Sequence, residues 1–355
     1  MLRAALRDLQ WRRRRFAITI LGTALVFAMS LVMSGLSHSF SVEVDRTLAA
    51  ERADWWVTRS DATGAFSPGS YLTPTDVAAL SAPSVGFTDS APMFYGSSTA
   101  QTRPGRSGNE VVTVTLMGVQ PGSLGAPTSV AAGSAALTDG TVIVPRSLDV
   151  HLGDAISLGG SSMKVVGIAD HASLLGGTPT VTVTLHDAQR MLLGGQPFAS
   201  MVVARGAGTL PSDYRMFTRA EAKTDLMRPL KNPALSIDIV KVLLWIVAGL
   251  IVASVVYLTV LERTRDIAVF KATGVRTVSI AAGICLQAVI LAVVASVLGV
   301  VLAVVLSPLF PMEVVIAVRA MLQLPVLAVL VGILAGLVGA RRTTTVAPTT
   351  AFGGP

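Results

Sequence analysis

Residues 262–276 read ERTRDIAVFKATGVR and gather Glu262, Arg263, Arg265, Asp266, Lys271 and Arg276 between two apolar runs. So many ionisable groups cannot rest in hydrocarbon, so the segment is a short tethered loop held at a membrane face. A helix from about residue 266 to 272 brings Ile267, Phe270 and Lys271 together at i, i+3 and i+4, an apolar knob with a basic rim. Gly274 then ends the helix and turns the chain back toward the next apolar run. That pattern suits docking into a groove on a soluble partner. The alternative is a basic juxtamembrane turn that satisfies lipid headgroups, with Phe270 anchored in the interface.

Residues that could make or break bonds are scattered. A phosphate-binding loop needs Gly directly before its Lys, and Lys164, Lys223, Lys231, Lys241 and Lys271 all follow other residues. The chain is therefore not expected to bind ATP in that way. His38, His151, His171 and His186 show no metal-ligand spacing. Asp170, His171 and Ser173 lack the glycine pattern of a nucleophile elbow. No catalytic, metal or cofactor-binding residue is assigned, and the chain is not read as an enzyme.

The elements that must position the charged loop are membrane spans. The 355 residues are 52% hydrophobic and 14% charged, well below the roughly 25% charged content of ordinary soluble domains. Four apolar runs, at 16–36, 240–261, 278–306 and 322–340, each come near or exceed the roughly 20 residues that cross hydrocarbon. The third is longer than required, so it tilts or emerges from the bilayer. Arg3, Arg7 and Arg12 to Arg15 precede the first run, the charged loop follows the second, and Arg341 and Arg342 follow the fourth. With four spans all three basic sites fall on one side, the cytoplasm, and both termini lie there too. Before the first span, Leu2, Leu6 and Leu9 share one helical face, as an amphipathic helix on the inner leaflet would; a simple basic anchor is the alternative.

About 200 residues between the first and second spans then lie outside the membrane. In this segment Asp and Glu slightly outnumber Lys and Arg, so the net charge of +7 is topological and nucleic acid is not an expected partner. The single cysteine, Cys285, falls in the third run, leaving the external domain to fold on its core alone. Strands are predicted at 111–119, 141–144, 156–158, 163–168, 180–185 and 200–204. Helices are predicted to start at Thr73-Pro74-Thr75-Asp76 and at the capping box Thr218 to Glu221. Residues 96–109 and 121–140, rich in Gly, Ser and Pro, are predicted loops. Within the spans only Gln287 is strongly polar, which offers no polar transport route, so energy for any movement comes from elsewhere. Gly22, Ala24, Ala28 and Ser30 in the first span, and Gly332, Gly336 and Gly339 in the fourth, predict close helix contacts between two copies.

The stretch Glu262-Arg263-x-x-Asp266-Ile267-Ala268-Val269-Phe270-Lys271-Ala272-x-Gly274 resembles the cytoplasmic segment of the MacB/FtsX-like permeases, the membrane subunits of type VII ABC systems, which typically read E-R-x-x-E-I-G-I-L-R-A-L-G. His151-Leu152-Gly153-Asp154 through Gly167-Ile168 is similar to a strand pair of that family, and the order of one span, a large external domain and three spans agrees. Asp266 stands for Glu, Ala268 for Gly, Phe270 for Leu, Lys271 for Arg and Thr273 for Leu, all compatible with a docking helix.

The expected fold is an α+β membrane protein, four transmembrane helices with a large mixed α/β extracytoplasmic domain inserted between the first and second. Its segments are a basic cytoplasmic stretch (1–15), transmembrane helix 1 (16–37), a MacB-like extracytoplasmic domain (38–237), helix 2 (238–261), a cytoplasmic coupling loop (262–277), helix 3 (278–306), an extracytoplasmic loop (307–321), helix 4 (322–340) and a cytoplasmic tail (341–355). The resemblance implies a permease subunit in a bacterial cell membrane, paired as a homodimer and working with two copies of a separate ABC ATPase that holds ATP and magnesium. Glu262, Arg263, Arg265, Asp266, Ile267, Phe270, Lys271 and Gly274 are the expected ATPase-coupling residues. The stroke would move the external domain for export or extraction of a substrate; the alternative is mechanotransmission to an extracytoplasmic cell-wall hydrolase or signalling partner. Composition points to a high-GC bacterium.

Overall fold

The computed structural model describes residues 13–67, 71–102, 111–310 and 313–345. The amphipathic N-terminal helix expected around Leu2, Leu6 and Leu9 lies outside them. Contacts divide the chain into two compact units, Phe40–Asn232 and a second formed by Met1–Ser39 with Pro233–Pro355.

The first unit is a mixed sheet with helices against it. Its strands are β1 (Trp55–Arg59), β2 (Asp89–Gln101), β3 (Val111–Val119), β4 (Ala132–Gly133), β5 (Thr141–Pro145), β6 (Ala155–Leu158), β7 (Ser161–Ala169), β8 (Ser173–Leu174), β9 (Thr178–Thr184), β10 (Met201–Arg205) and β11 (Tyr214–Thr218). They run in the order β11-β1-β10-β2-β3-β9-β5-β7-β4, with β6 joining β2 and β7, and β8 pairing with β9. Only β3–β9 and β5–β7 are parallel pairs among the described strands. Alternating burial along β7 directs Met163 and Val165 inward, while the near-continuous apolar run of β10 is covered on both faces.

Capping chemistry starts each of the short helices here. Helix α2 (Pro74–Leu80) has the full capping box, Thr73 with Asp76, and α4 (Arg219–Met227) has Thr218 with Glu221, as their sequences predict. Helix α3 (Leu185–Leu192) leaves β9 directly, Thr184 Oγ1 accepting from the Asp187 N–H. Both expected loops contain strand: β4 lies within 121–140, and in 96–109 the polar half of β2 pairs as Gly96 with Leu116 through to Gln101 with Val111. Residues 96–101 read as loop because their Ser, Thr and Gly content is turn-like, yet a nine-residue apolar partner strand holds them in register.

The second unit is helical. Helix α1 (Arg13–Ala50) runs 38 residues, past the predicted end of the span at 37, and its last part, with Val44 and Leu48, belongs to the core of the sheet unit. Helices α5 (Lys231–Glu262), α6 (Thr264–Ala272), α7 (Thr277–Leu306) and α8 (Val318–Thr345) follow. Among the described residues four helices, α1, α5, α7 and α8, are long and apolar enough to cross a membrane. Apolar side chains such as Leu250 on α5 and Val326 on α8 remain exposed at 62% and 71%, as lipid-facing positions do.

The small residues expected to join two copies do a different job. A Cβ on Gly336 would stand 2.6 Å from the Cα of Cys285, and one on Gly332 2.7 Å from the Cα of Val289, so these glycines let α8 lie backbone to backbone on α7. Gly339 fits against Val256 of α5, while Ala24, Ala28 and Ser30 are buried within the same subunit. Of the seven, Gly22 meets nothing within 4 Å. Close packing inside one chain occupies the other six.

Candidate coupling site

Helix α6 is a nine-residue element set between two long apolar helices. At its start α5 breaks at Arg263, whose carbonyl accepts the Ile267 N–H at 2.9 Å, and Thr264 Oγ1 returns to the Leu261 carbonyl at 2.7 Å. At its end Val275 N–H bonds the Phe270 carbonyl at 3.0 Å and Gly274 N–H the Lys271 carbonyl at 3.1 Å. This pair of bonds is a Schellman cap, and Gly274 supplies the left-handed residue it needs at φ +85°. A β-carbon there would strain the turn.

Burial splits the predicted apolar knob. Ile267 is 5% exposed and packs with Val260 and Ile280, so it ties α6 to α5 and α7 instead of facing a partner. Ala268 beside it is fully buried, at the position where the resembling family has Gly. Phe270 is 51% exposed, and Val269, overlooked in the i, i+3, i+4 pattern, is 47% exposed next to it. Asp266, Val269, Phe270 and Thr273 recur at i, i+3, i+4 and i+7, so one exposed face carries an apolar centre with polar ends. Glu262 and Arg265 are exposed, Arg263 and Lys271 half-buried, and Gly274 lies open at the C-terminal turn. The face can insert a ring and a branched aliphatic into an apolar pocket while its charges meet a polar rim.

Other clusters are occupied by structural bonds. Ser173 Oγ donates to Glu43 Oε1 at 2.9 Å, and Asp170 pairs with Arg146 at 2.9 Å, so Asp170, His171 and Ser173 form no triad. Asp139, His186 and Asp187 come together, but the buried Asp187 carboxylate accepts from Gly140 N–H at 2.7 Å and pairs with Arg190, which pins the start of α3. The Thr184 hydroxyl, and then His186, hold the Asp139 carboxyl below the ordinary range.

Sequence patterns gave no sign of Glu51. It is 1% exposed, with Oε2 accepting from the Trp56 indole N–H and Oε1 lacking a partner among the described residues. Burial pushes its carboxyl up to about 8 against the opposing effect of the Trp56 bond. Tyr95 is raised to about 12 by burial and then by the charges of Asp225 and Glu51.

Comparison with known proteins covers both units. Residues 16–213 match the MacB-like periplasmic core domain and residues 239–348 the FtsX-like permease C-terminal domain. An ABC transporter permease of Mycobacterium tuberculosis is 43% identical over 360 residues, and another from that organism is 44% identical over 356, each match covering 100% of both chains. The macrolide export ATP-binding/permease protein MacB of Hahella chejuensis is 25% identical over 225 residues, 56% of this chain and 34% of that protein. Among solved structures, the periplasmic region of MacB from Actinobacillus actinomycetemcomitans matches at 13% identity over 48% of this chain and 91% of that one, with a TM-score of 0.35.

Proposed function

Since the chain belongs to the ABC transporter permeases of the MacB/FtsX type, we propose that α6 is the point at which a separate ATPase subunit drives it. The exposed Val269–Phe270 pair, capped by Gly274 and braced from behind by Ile267, carries this reading. A short helix tied to two spans through a buried isoleucine passes a push on its outer face to both spans at once. Phe270 fills a pocket on the ATPase, and Lys271 with Arg263 and Arg265 meets acidic groups at its rim. ATP and magnesium belong to that partner. Closure of the ATPase tilts the helices and moves the sheet unit outside a bacterial membrane, with α6 and both termini in the cytoplasm. Two nucleotide-binding subunits present two pockets and one chain presents one α6, so two permease copies complete the assembly. The relation to a macrolide export protein supports outward movement of substrate.

The test is copurification of the ATPase with Phe270→Ala and Lys271→Glu, together with its hydrolysis rate in the complex. Loss of a central aromatic anchor costs about 2 kcal/mol, roughly thirty-fold in docking. Lys271→Glu weakens docking through like charge. Native mass spectrometry of the wild-type complex is expected to show two permease chains. Unchanged assembly and hydrolysis in both variants would overturn the coupling role, and a one-permease complex with stimulated hydrolysis would overturn the pairing.

A further inference from the structure

Within the helical unit, α1, α5 and α8 line an open groove of about 840 Å³, in the size range of small-ligand sites. Its lining is polar at one end and apolar along its length. Lys241 and Trp245 stand one turn apart on α5, the ammonium 6.0 Å from the indole centroid. Arg319 lies in the first turn of α8, with Gln323 one turn on. Asp238 pairs with Lys241, leaving two cations and one carboxylate named at this end. Beyond them α8 turns Val326, Leu330 and Ile333 to the groove. From Leu322 to Ile333 the helix rises ~17 Å, close to the ~15 Å depth of one hydrocarbon leaflet.

We propose that this groove binds one anionic phospholipid, with its phosphate against Arg319 and Lys241 and an acyl chain along Val326, Leu330 and Ile333. Three observations favour that occupant. Two cations at the head of an apolar slot of leaflet depth match an amphiphile with one negative end. The Trp245 Nε1–H is buried with no acceptor among the described residues, and a phosphate or ester oxygen accepts it. A second copy is a poor fit, because the exposed faces it could offer, such as Ile18, Leu21 and Leu25 on α1 or Leu243, Ile246 and Leu250 on α5, carry no carboxylate to meet the cations. This inference needs only that the helices lie in a bilayer.

The test uses the full chain in nanodiscs of equimolar phosphatidylglycerol and phosphatidylcholine, released for native mass spectrometry. One phosphatidylglycerol per chain is expected to survive activation that strips phosphatidylcholine. Arg319→Gln is expected to reduce that enrichment about five-fold, the worth of one cation near a lipid headgroup. Lys241→Gln gives an independent reading of the same end. Leu330→Trp fills the slot and is expected to lower lipid occupancy with helicity and melting unchanged. Equal retention of the two lipids would overturn the proposal, as would retention indifferent to Arg319→Gln, Lys241→Gln and Leu330→Trp. Disulfide formation between copies through Val326→Cys in a Cys285→Ser background would assign the groove to a second chain and overturn it too. Phe270→Ala leaves lipid retention untouched, so this inference and the coupling role fail separately.

Discussion

Glu51 shows how a single side chain sets a property of the whole domain. Its ordinary value is 4.5 and its folded value about 8, so between those limits the folded chain holds a proton that the unfolded chain has released. The contribution to stability is full below 4.5 and is lost as pH rises through 8, at about 1.4 kcal/mol per pH unit. Gln reproduces the neutral acid, its carbonyl accepting from Trp56 and its amide taking the place of the Oε1 proton. Thermal unfolding of the full chain in detergent from pH 5 to pH 8.5 is expected to show a wild-type midpoint that falls with pH. Glu51→Gln is expected to flatten the fall and melt higher at the alkaline end. Parallel curves for the two proteins would refute the assignment.

At the scale of elements, the pairing of α7 and α8 depends on glycine at the crossing. A valine at Gly336 brings its Cβ to within 2.6 Å of the Cys285 Cα, which is backbone and cannot swing away. The helices must part, and overpacking of that kind costs roughly 1–3 kcal/mol. Gly336→Val is expected to lower the melting temperature and broaden the size-exclusion peak, whereas Gly22→Val, where a Cβ meets nothing within 4 Å, leaves both unchanged. Equal effects from the two substitutions would show that the α7–α8 crossing is not the constraint. Helix α6 follows the same logic with a different residue, since Ile267 fills the gap between Val260 and Ile280 and leaves Phe270 for contact outside.

At the scale of the molecule, the distribution of charge predicts which parts face the cytoplasm. Basic residues gather before and at the start of α1, in and around α6, and near the end of α8, and four spans put all three on one side. Thiol labelling in a Cys285→Ser background tests it. Thr273→Cys, exposed at the end of α6, is expected to react with an impermeant maleimide only in inside-out vesicles. Ser212→Cys, exposed in the sheet unit, is expected to react on intact spheroplasts. Labelling of both from one side would contradict the topology on which the coupling role depends.

The sequence by itself determined what depends on neighbours along the chain. Four runs of apolar residues, the charged loop and the capping boxes at Thr73 and Thr218 are local patterns, and local hydrogen bonds or hydrocarbon thickness suffice to read them. Gly274 is of this kind, since the Schellman cap is closed by residues within six positions. The loop motif was legible for the same reason, and with it the likeness to the permease family. Tertiary structure decided the rest. Ile267 and Phe270 look alike at helical spacing, and only the approach of Val260 and Ile280 buries one and leaves the other exposed. Glycines on α8 read from the sequence as a contact between copies, with packing inside one subunit as the alternative, and the nearness of Cys285 and Val289 shows them used within the chain. The polar half of β2 needed β3 to become a strand, and Glu51 needed Trp56 and the core around it to become a buried acid. These outcomes rest on pairings between distant segments, which local propensity does not encode.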